Sequence, residues 1–264
     1  MKKGIIIYRK DDSLKNDFFI NKCLSQLNDS HFQLQFVVED DVALYLKNQY
    51  VDFAIYRGRD YRTIEKLNHL GLKVFNNSLT NKIANNKYLT YQLFNELNLP
   101  CITTYLDSES LSFPYIMKSV DGHGGQEVFL IDKLDKKQLI LAKYPHKTFI
   151  YQPFTSNTGD VRLYLLNKKF VKAVKRENQN DFRNNYSLGG QASLYTPNSQ
   201  IIEQAEWLAR YLEADYIGID LLLTEESYAF NEIEDPVGSR MLYEISDIDI
   251  IALYITHIKK QLEQ

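Results

Sequence analysis

The chain has 264 residues, with 31 Lys and Arg against 34 Asp and Glu and a formal charge of −3. That length carries two or three compact lobes with a real core, and the near-neutral balance gives no electrostatic case for nucleic acid as a main partner. Two cysteines far apart in sequence, Cys23 and Cys101, argue against a disulfide framework and suit a reducing compartment.

The start, Met1-Lys2-Lys3, runs straight into Ile5-Ile6-Ile7. That run is too short for a signal-peptide core and reads as a strand over 4–8. No apolar run is long enough to span a bilayer, so a soluble cytoplasmic protein without a membrane partner is expected. Strands over 4–8, 32–38, 51–56 and 73–75 alternate with helices over 16–27, 42–47 and 63–70, the last capped by Gly71. This alternation predicts a small parallel α/β lobe. Ligands of such sheets gather beyond the carboxyl ends of the strands, where Arg57-Gly58-Arg59-Asp60 falls. A solvated loop is the competing reading for any one of those residues.

A polar break over 76–80 marks the first boundary. Ile83, Leu89, Leu93, Phe94 and Leu97 form a helical stripe over 81–98 that Pro100 ends. Lys87 falls in its middle, where most lysines are merely solvated. A strand over 114–119, PYIMKS, sets Lys118 among apolar neighbours. An unpaired buried charge is costly, so this lysine needs a reason to be there. The loop Asp121-Gly122-His123-Gly124-Gly125 follows at once, then a strand over 127–131. Glycines let backbone N–H groups turn inward and cradle phosphate. The spacing is not that of a Walker motif, a plain hairpin turn competes, and His123 reads as exposed.

A helix over 134–142 leads to a strand over 148–154 ending in Gln152-Pro153-Phe154. Strands over 159–166 and 169–177 form a hairpin about Asn167-Lys168 and carry Arg162 and Arg176. The donor-rich loop Asp181-Phe182-Arg183-Asn184-Asn185 and Gly189-Gly190 follow, then an amphipathic helix over 199–213. Two apolar runs, 217–223 and 228–233, read as a second hairpin. Glu232 and Glu234 share one side of its second strand. Pairing Thr224 with Tyr228 across Glu225–Ser227 sets Asp220 opposite Glu232, so that three carboxylates share one face. Without a cation they repel and raise one another's pKa; oxygen-only ligands of this kind favour magnesium. A solvent-facing acidic strand end is the alternative. A terminal helix over 246–262 closes the chain, with Ser246 and Asp249 as a capping box.

In order, Lys87, PYIMKSVDGHGG, YQPF, GDVRLYLLNKKFVKAVKR, DFRNN with its GG, and GIDLLL with FNEIE resemble the ATP-grasp superfamily. Within it the chain is similar to the RimK-like ligases, over roughly 76–258. The resemblance implies an α/β fold with α+β lobes. Residues 1–78 would be the pre-ATP-grasp α/β domain and 79–264 the ATP-grasp domain, with a small lid lobe about 112–152 and a C-terminal lobe about 153–264. It implies that Lys87 and Lys118 contact ATP phosphates under the Gly122–Gly125 loop as a lid, with Gly124 and Gly125 at the nucleotide. Gln152, Pro153 and Phe154 take the adenine hinge, and Asp160 reaches the ribose or nucleotide. Arg183, Asn184 and Asn185 reach the phosphate and metal region, and Arg176, with Lys118, stabilises the transferring phosphoryl group. Asp220, Glu232 and Glu234 stand at the metal positions, for magnesium with manganese as an alternative.

The activity implied is ATP-dependent ligation of a carboxylate to an amine, on small-molecule or peptide substrates, with Arg57 and Arg240 as substrate contacts. An ATP-grasp small-molecule kinase and a non-catalytic nucleotide-binding protein are the rival readings, and a homo-oligomer stays open. Two departures stand out. Glu234 replaces the family's usual Asn, with Asp235 adding charge beside it, and Pro236–Tyr243 replaces the usual small, glycine-containing loop.

Overall fold

The computed structural model describes residues 1–177 and 191–263. Asp181 to Asn185, with Arg183, Asn184 and Asn185, and Gly189-Gly190 lie outside the described residues. The first sheet holds β1 (Lys2–Tyr8), β2 (Phe32–Val38), β3 (Phe53–Tyr56) and β4 (Lys73–Phe75) in the order β2-β1-β3-β4. Every pairing in it is parallel. Around it lie α1 (Lys10–Lys15), α2 (Asp17–Leu27), α3 (Val42–Asn48) and α4 (Tyr61–His69). β1 is an unbroken isoleucine run because both its faces are buried. Ile5 and Ile7 pack with Val42, Ile64 and Leu67, while Ile6 and Tyr8 pack with Phe19, Ile20 and Cys23 of α2. The chain crosses from one side of β1 to the other between β2 and β3. The ends of β1 and β3, at Tyr8 and Arg57, therefore open onto the crevice of such a switch point.

The expected 16–27 helix is α2, and the separate short α1 before it ends at Asn16, whose side chain donates to Asp12 O. One helix expected to be continuous is broken. The 81–98 helix is α5 (Ser78–Ala84) and α6 (Lys87–Glu96). Asn77 and Asn86 accept from the backbone N–H groups of Thr80 and Leu89, so each asparagine starts a new helix. Lys87 is thus the first residue of a helix and not the middle of one.

The second sheet is antiparallel, β5 (Tyr115–Ser119), β6 (Val128–Ile131) and β7 (Phe149–Pro153) in the order β6-β5-β7, with α7 (Leu134–Lys143) following β6. The third holds β8 (Gly159–Leu166), β9 (Lys169–Glu177), β10 (Gln191–Tyr195), β11 (Tyr216–Leu223) and β12 (Tyr228–Glu234) in the order β10-β9-β8-β11-β12. Away from the bulges, the residues of β8 and β11 alternate between its two faces. Val161, Leu163, Ile217, Ile219, Leu221 and Ile233 face α6 and α8 (Ser199–Tyr211). On the other face Tyr164, Val174 and Tyr216 join α2, α9 (Arg240–Ile245) and α10 (Ile250–Glu263) in a core shared with the first sheet. That cluster draws residues from both sides of position 78.

The expected terminal helix is also shorter. The Ser246 hydroxyl donates back to Leu242 O at 2.7 Å, closing α9, and Asp249 Oδ1 accepts from Ala252 N at 3.0 Å. Asp249 therefore caps α10 alone, and the capping box does not form. No helix among the described residues is long and apolar enough to cross a membrane.

Candidate active site

A cleft lies between the β5–β7 sheet and the β8–β11–β12 face. Of the nucleotide candidates, Lys87, Lys118, Gly125, Gln152, Pro153, Phe154 and Asp160 line it. Gly124 faces the adjoining cleft. Lys87 is buried, not solvated. Its Nζ donates to Gly122 O at 2.6 Å and to Glu232 Oε1 at 2.7 Å, and its backbone N–H donates to Val120 O. The first residue of α6 thereby ties the glycine loop to β12. Lys118 has uncharged partners, Asn231 Oδ1 at 3.0 Å and the Tyr91 hydroxyl at 3.4 Å. Burial pulls its ammonium down to about 8. His123 is half-buried where three clefts meet, not exposed. Burial, then the charges of Arg59 and Lys87, pull its imidazole down to about 4.

The β11–β12 hairpin reaches the expected carboxylate pairing by a different route. Leu223 pairs with Tyr228, not Thr224 with Tyr228, and the four-residue turn is closed by Thr224 N–H donating to Ser227 O at 2.9 Å. Continued unbroken, that register would set Asp220 opposite Asn231. A β-bulge between Asp220 and Leu221 drops Asn231 from the ladder, and Asp220 meets Glu232. Asp220, Glu232 and Glu234 converge, each offering an oxygen within 4.8 Å of the others. An all-oxygen set at that spacing fits a hard divalent cation such as magnesium.

Cationic side chains already balance these carboxylates. Arg162 sits directly across the β8–β11 ladder from Asp220. It grips Asp220 with Nε and Nη2, both at 2.7 Å, and Nη2 also donates to Glu234 Oε1 at 2.5 Å. Arg176 donates to Asp220 Oδ2 at 2.6 Å and to Asp160, its cross-strand partner. Gly159 lets β8 enter here. Its φ is +136°, and a Cβ would lie 2.8 Å from Arg176 O.

Mutual repulsion therefore does not dominate. Burial pushes the Asp220 carboxyl up, but Arg162 and Arg176 outweigh it and hold it at about 2. Burial likewise pushes Glu232 up and Lys87 brings it below its usual value. Glu234 alone of the three stays raised, through burial and its two acidic neighbours, against the pull of Arg162. Asp160 rises to about 6, by burial first and Asp220 second, with Arg176 opposing.

Asp235 does not add to this cluster. Strand alternation turns it to the opposite side, where it accepts from Asn76 Nδ2 and Asn81 Nδ2, each at 2.9 Å. It fastens the end of β12 to α5 and to the residue after β4. Arg57 and Arg240 belong to a second cleft, joined to the first at His123 and Glu232. Arg57 is buried in its wall. Its guanidinium donates to Val237 O at 2.6 Å and to the Tyr8 hydroxyl at 3.1 Å, and lies 4.2 Å from the Phe19 ring centre. Arg240 stands at the rim, donating to Lys15 O at 2.6 Å.

Sequence reasoning gave no role to Arg162, Tyr91 or Asn231. For Arg162 a signal existed: it is two residues from Asp160, so both face the cleft once β8 is placed beside β11. Asn231 had none, because only the bulge turns it to the cleft.

The RimK-like ATP-grasp domain matches residues 98–258. An uncharacterized protein of Mycoplasma pneumoniae is 29% identical over 100% of this chain and 96% of its own length. A probable alpha-L-glutamate ligase of Histophilus somni is 28% identical over 92% of this chain and 89% of its own. Among solved structures, the D-alanine–D-alanine ligase of Bacillus anthracis superposes with a TM-score of 0.80 at 12% identity, over 99% of this chain and 97% of that one. A RimK domain ATP-grasp protein of Sphaerobacter thermophilus gives 0.70 at 15% identity, over 97% and 99%. At those identities the structures speak for the fold, and the domain match speaks for the family. The chain belongs to the RimK-like ATP-grasp family and is a ligase by class.

Proposed function

We propose that the protein joins a carboxylate to an amine at the expense of ATP, through an acyl phosphate, releasing ADP and phosphate. One observation carries the reading. A cleft lined by Lys87, Lys118, the glycine loop and Glu232 opens at His123 and Glu232 into a second cleft lined by Glu234, Arg57 and Arg240, and Glu232 and Glu234 converge there with the buried Asp220. ATP fits the first cleft with its base toward Pro153 and Phe154 and its phosphates toward Lys87, Lys118 and the Gly124-Gly125 loop. In this reading residues 1–78 are the pre-ATP-grasp lobe, about 112–152 the lid, and about 153–264 the C-terminal lobe.

A substrate carboxylate oxygen attacks the γ-phosphorus, the β–γ bridging bond breaks, and ADP leaves. The amine nitrogen then attacks the acyl carbon, phosphate departs with the C–O bonding pair, and the nitrogen loses a proton to the departing phosphate or to solvent. Both partners of the first step are anions, so Arg176 and Lys118 act by neutralising the charge between them. Losing one such contact typically costs ~3 kcal/mol of barrier. Asp220, Glu232 and Glu234 would hold magnesium, which supplies further neutralisation of the phosphoryl oxygens when bound. Lys87 and Arg162, which hold those carboxylates here, would then be left to face the phosphates and the acid. Arg57 and Arg240 sit in the second cleft, where the acid substrate would lie.

The name of the Histophilus somni relative supports amino acids or peptides as substrates. The test is a screen of ADP release with magnesium and ATP over amino acids, short peptides and polyamines. Release that requires both an acid and an amine supports the reading. Release that no acid stimulates refutes it.

A further inference from the structure

The bulge in β12 holds one residue more than its ladder with β11 uses. Phe230 and Ile233 are buried in the core beneath the third sheet, and Glu232 and Glu234 face the cleft. With Asn231 left out of the count, β12 reads Phe230 in, Glu232 out, Ile233 in, Glu234 out. That is the alternation an unbroken strand would give. Its partners in β11 are also consecutive, Leu221 against Phe230 and Asp220 against Glu232. Asn231 is therefore surplus to the ladder, and a surplus residue gives up a cross-strand pairing.

The extra residue does one thing visible in the structure. It puts two successive side chains, Asn231 and Glu232, into the nucleotide cleft. Asn231 Oδ1 accepts from Lys118 Nζ at 3.0 Å and from the Tyr91 hydroxyl at 2.9 Å. Lys118 also reaches the Tyr91 hydroxyl at 3.4 Å, with its ammonium 5.7 Å from the centre of that ring. Tyr91 is buried on α6 and Lys118 stands on the separate β5–β7 sheet. An amide oxygen suits this position. It fixes the direction of the ammonium without cancelling its charge, which a carboxylate there would do.

We infer that Asn231 is a positioning residue, placed by the β12 bulge, that aims the Lys118 ammonium at the nucleotide and ties the nucleotide-facing sheet to the strand bearing Glu232 and Glu234. This rests on the nucleotide reading of the cleft. It assigns the bulge to function: deleting Asn231 should leave the carboxylates paired as they are and remove only the hold on Lys118.

The experiment is calorimetric binding of magnesium–ATP, without acid or amine, to wild type, Lys118→Met, Asn231→Leu, the double variant, and the protein with Asn231 deleted. Lys118→Met and Asn231→Leu should each weaken binding at least five-fold. The double variant should match Lys118→Met within two-fold, because residues acting through one contact are not additive. The deletion should match Asn231→Leu; if it does not fold, Asn231→Leu decides alone. Wild-type affinity in Asn231→Leu while Lys118→Met is weakened overturns the inference. So does a double variant that loses the product of the two single losses. Wild-type affinity in Lys118→Met would overturn the nucleotide reading itself, and the inference with it.

Discussion

Replacing Arg162 by leucine removes the cation that holds the carboxylate cluster together. Three hydrogen bonds go, two to Asp220 at 2.7 Å and one to Glu234 at 2.5 Å. All the groups are largely buried, with side-chain exposures of 11% for Arg162, 5% for Asp220 and 27% for Glu234. Removing one partner of a buried pair typically costs about 3–5 kcal/mol, because the other charge stays behind. Arg176 still reaches Asp220, so the lower end, about 3 kcal/mol, is expected near neutral pH without magnesium. In a chain of this size that is a fall in melting temperature of roughly 10 °C. The pH dependence has a definite sign. Asp220 is held at about 2, below its ordinary 3.8, so its ion pairs contribute above pH 3.8 and are lost as pH falls toward 2. The deficit of Arg162→Leu should therefore shrink on acidification. Magnesium should stabilise the variant more than the wild type, since a cation can replace the lost guanidinium. Thermal denaturation of both proteins at several pH values, with and without magnesium, measures this. A loss under ~1 kcal/mol at pH 7, or one that magnesium does not narrow, would refute the claim that Arg162 holds the cluster.

Lys118 should give magnesium–ATP binding a distinct pH profile. Its ammonium is pulled to about 8 in the free protein, and phosphate favours the charged form. Affinity should stay level below pH 8 and fall above it, whereas Lys118→Arg should stay level throughout; isothermal titration at several pH values checks this. Asp235→Ala should cost about 2–4 kcal/mol of stability, from two amide bonds to a buried acceptor, and leave nucleotide affinity unchanged in the folded fraction. An equal loss of affinity would place Asp235 in the site after all. Glu234→Asn should keep activity and Glu234→Ala should raise the magnesium requirement, read from ADP release against magnesium concentration. Wild-type curves for both would show that Glu234 is not a ligand.

How far the sequence revealed these features depended on whether local pattern or distant packing decided them. The isoleucine run of β1 announces a strand buried on both sides, and the structure shows one. The β8–β9 hairpin was equally plain, since Asn167 and Lys168 take positive φ values of 49° and 64°, suiting a primed two-residue turn. β10 was missed because Gln191–Tyr195 is half-exposed and carries no clean apolar alternation. The break before Lys87 was readable in principle, as Asn85-Asn86 offers a cap that competes with helix continuation, but the apolar stripe runs through it. Asp235 looked like added charge beside Glu234, although strand alternation alone turns it away. The bulge was not readable. Both the odd turn register and its correction come from pairing β11 with β12, and no local preference at Asn231 marks it.

The measurement that tests the account most directly is hydroxylamine trapping. Wild-type protein is incubated with magnesium, ATP, hydroxylamine and a panel of N-acetylated amino acids and peptides, so that hydroxylamine is the nucleophilic amine supplied. ADP and hydroxamate are then measured together, with Asp220→Asn as the control. The account predicts ADP and hydroxamate in equal amounts with at least one carboxylic acid, and neither product from Asp220→Asn. ADP formed without hydroxamate, on substrates bearing a hydroxyl group, would contradict it and make the protein a kinase on the same fold.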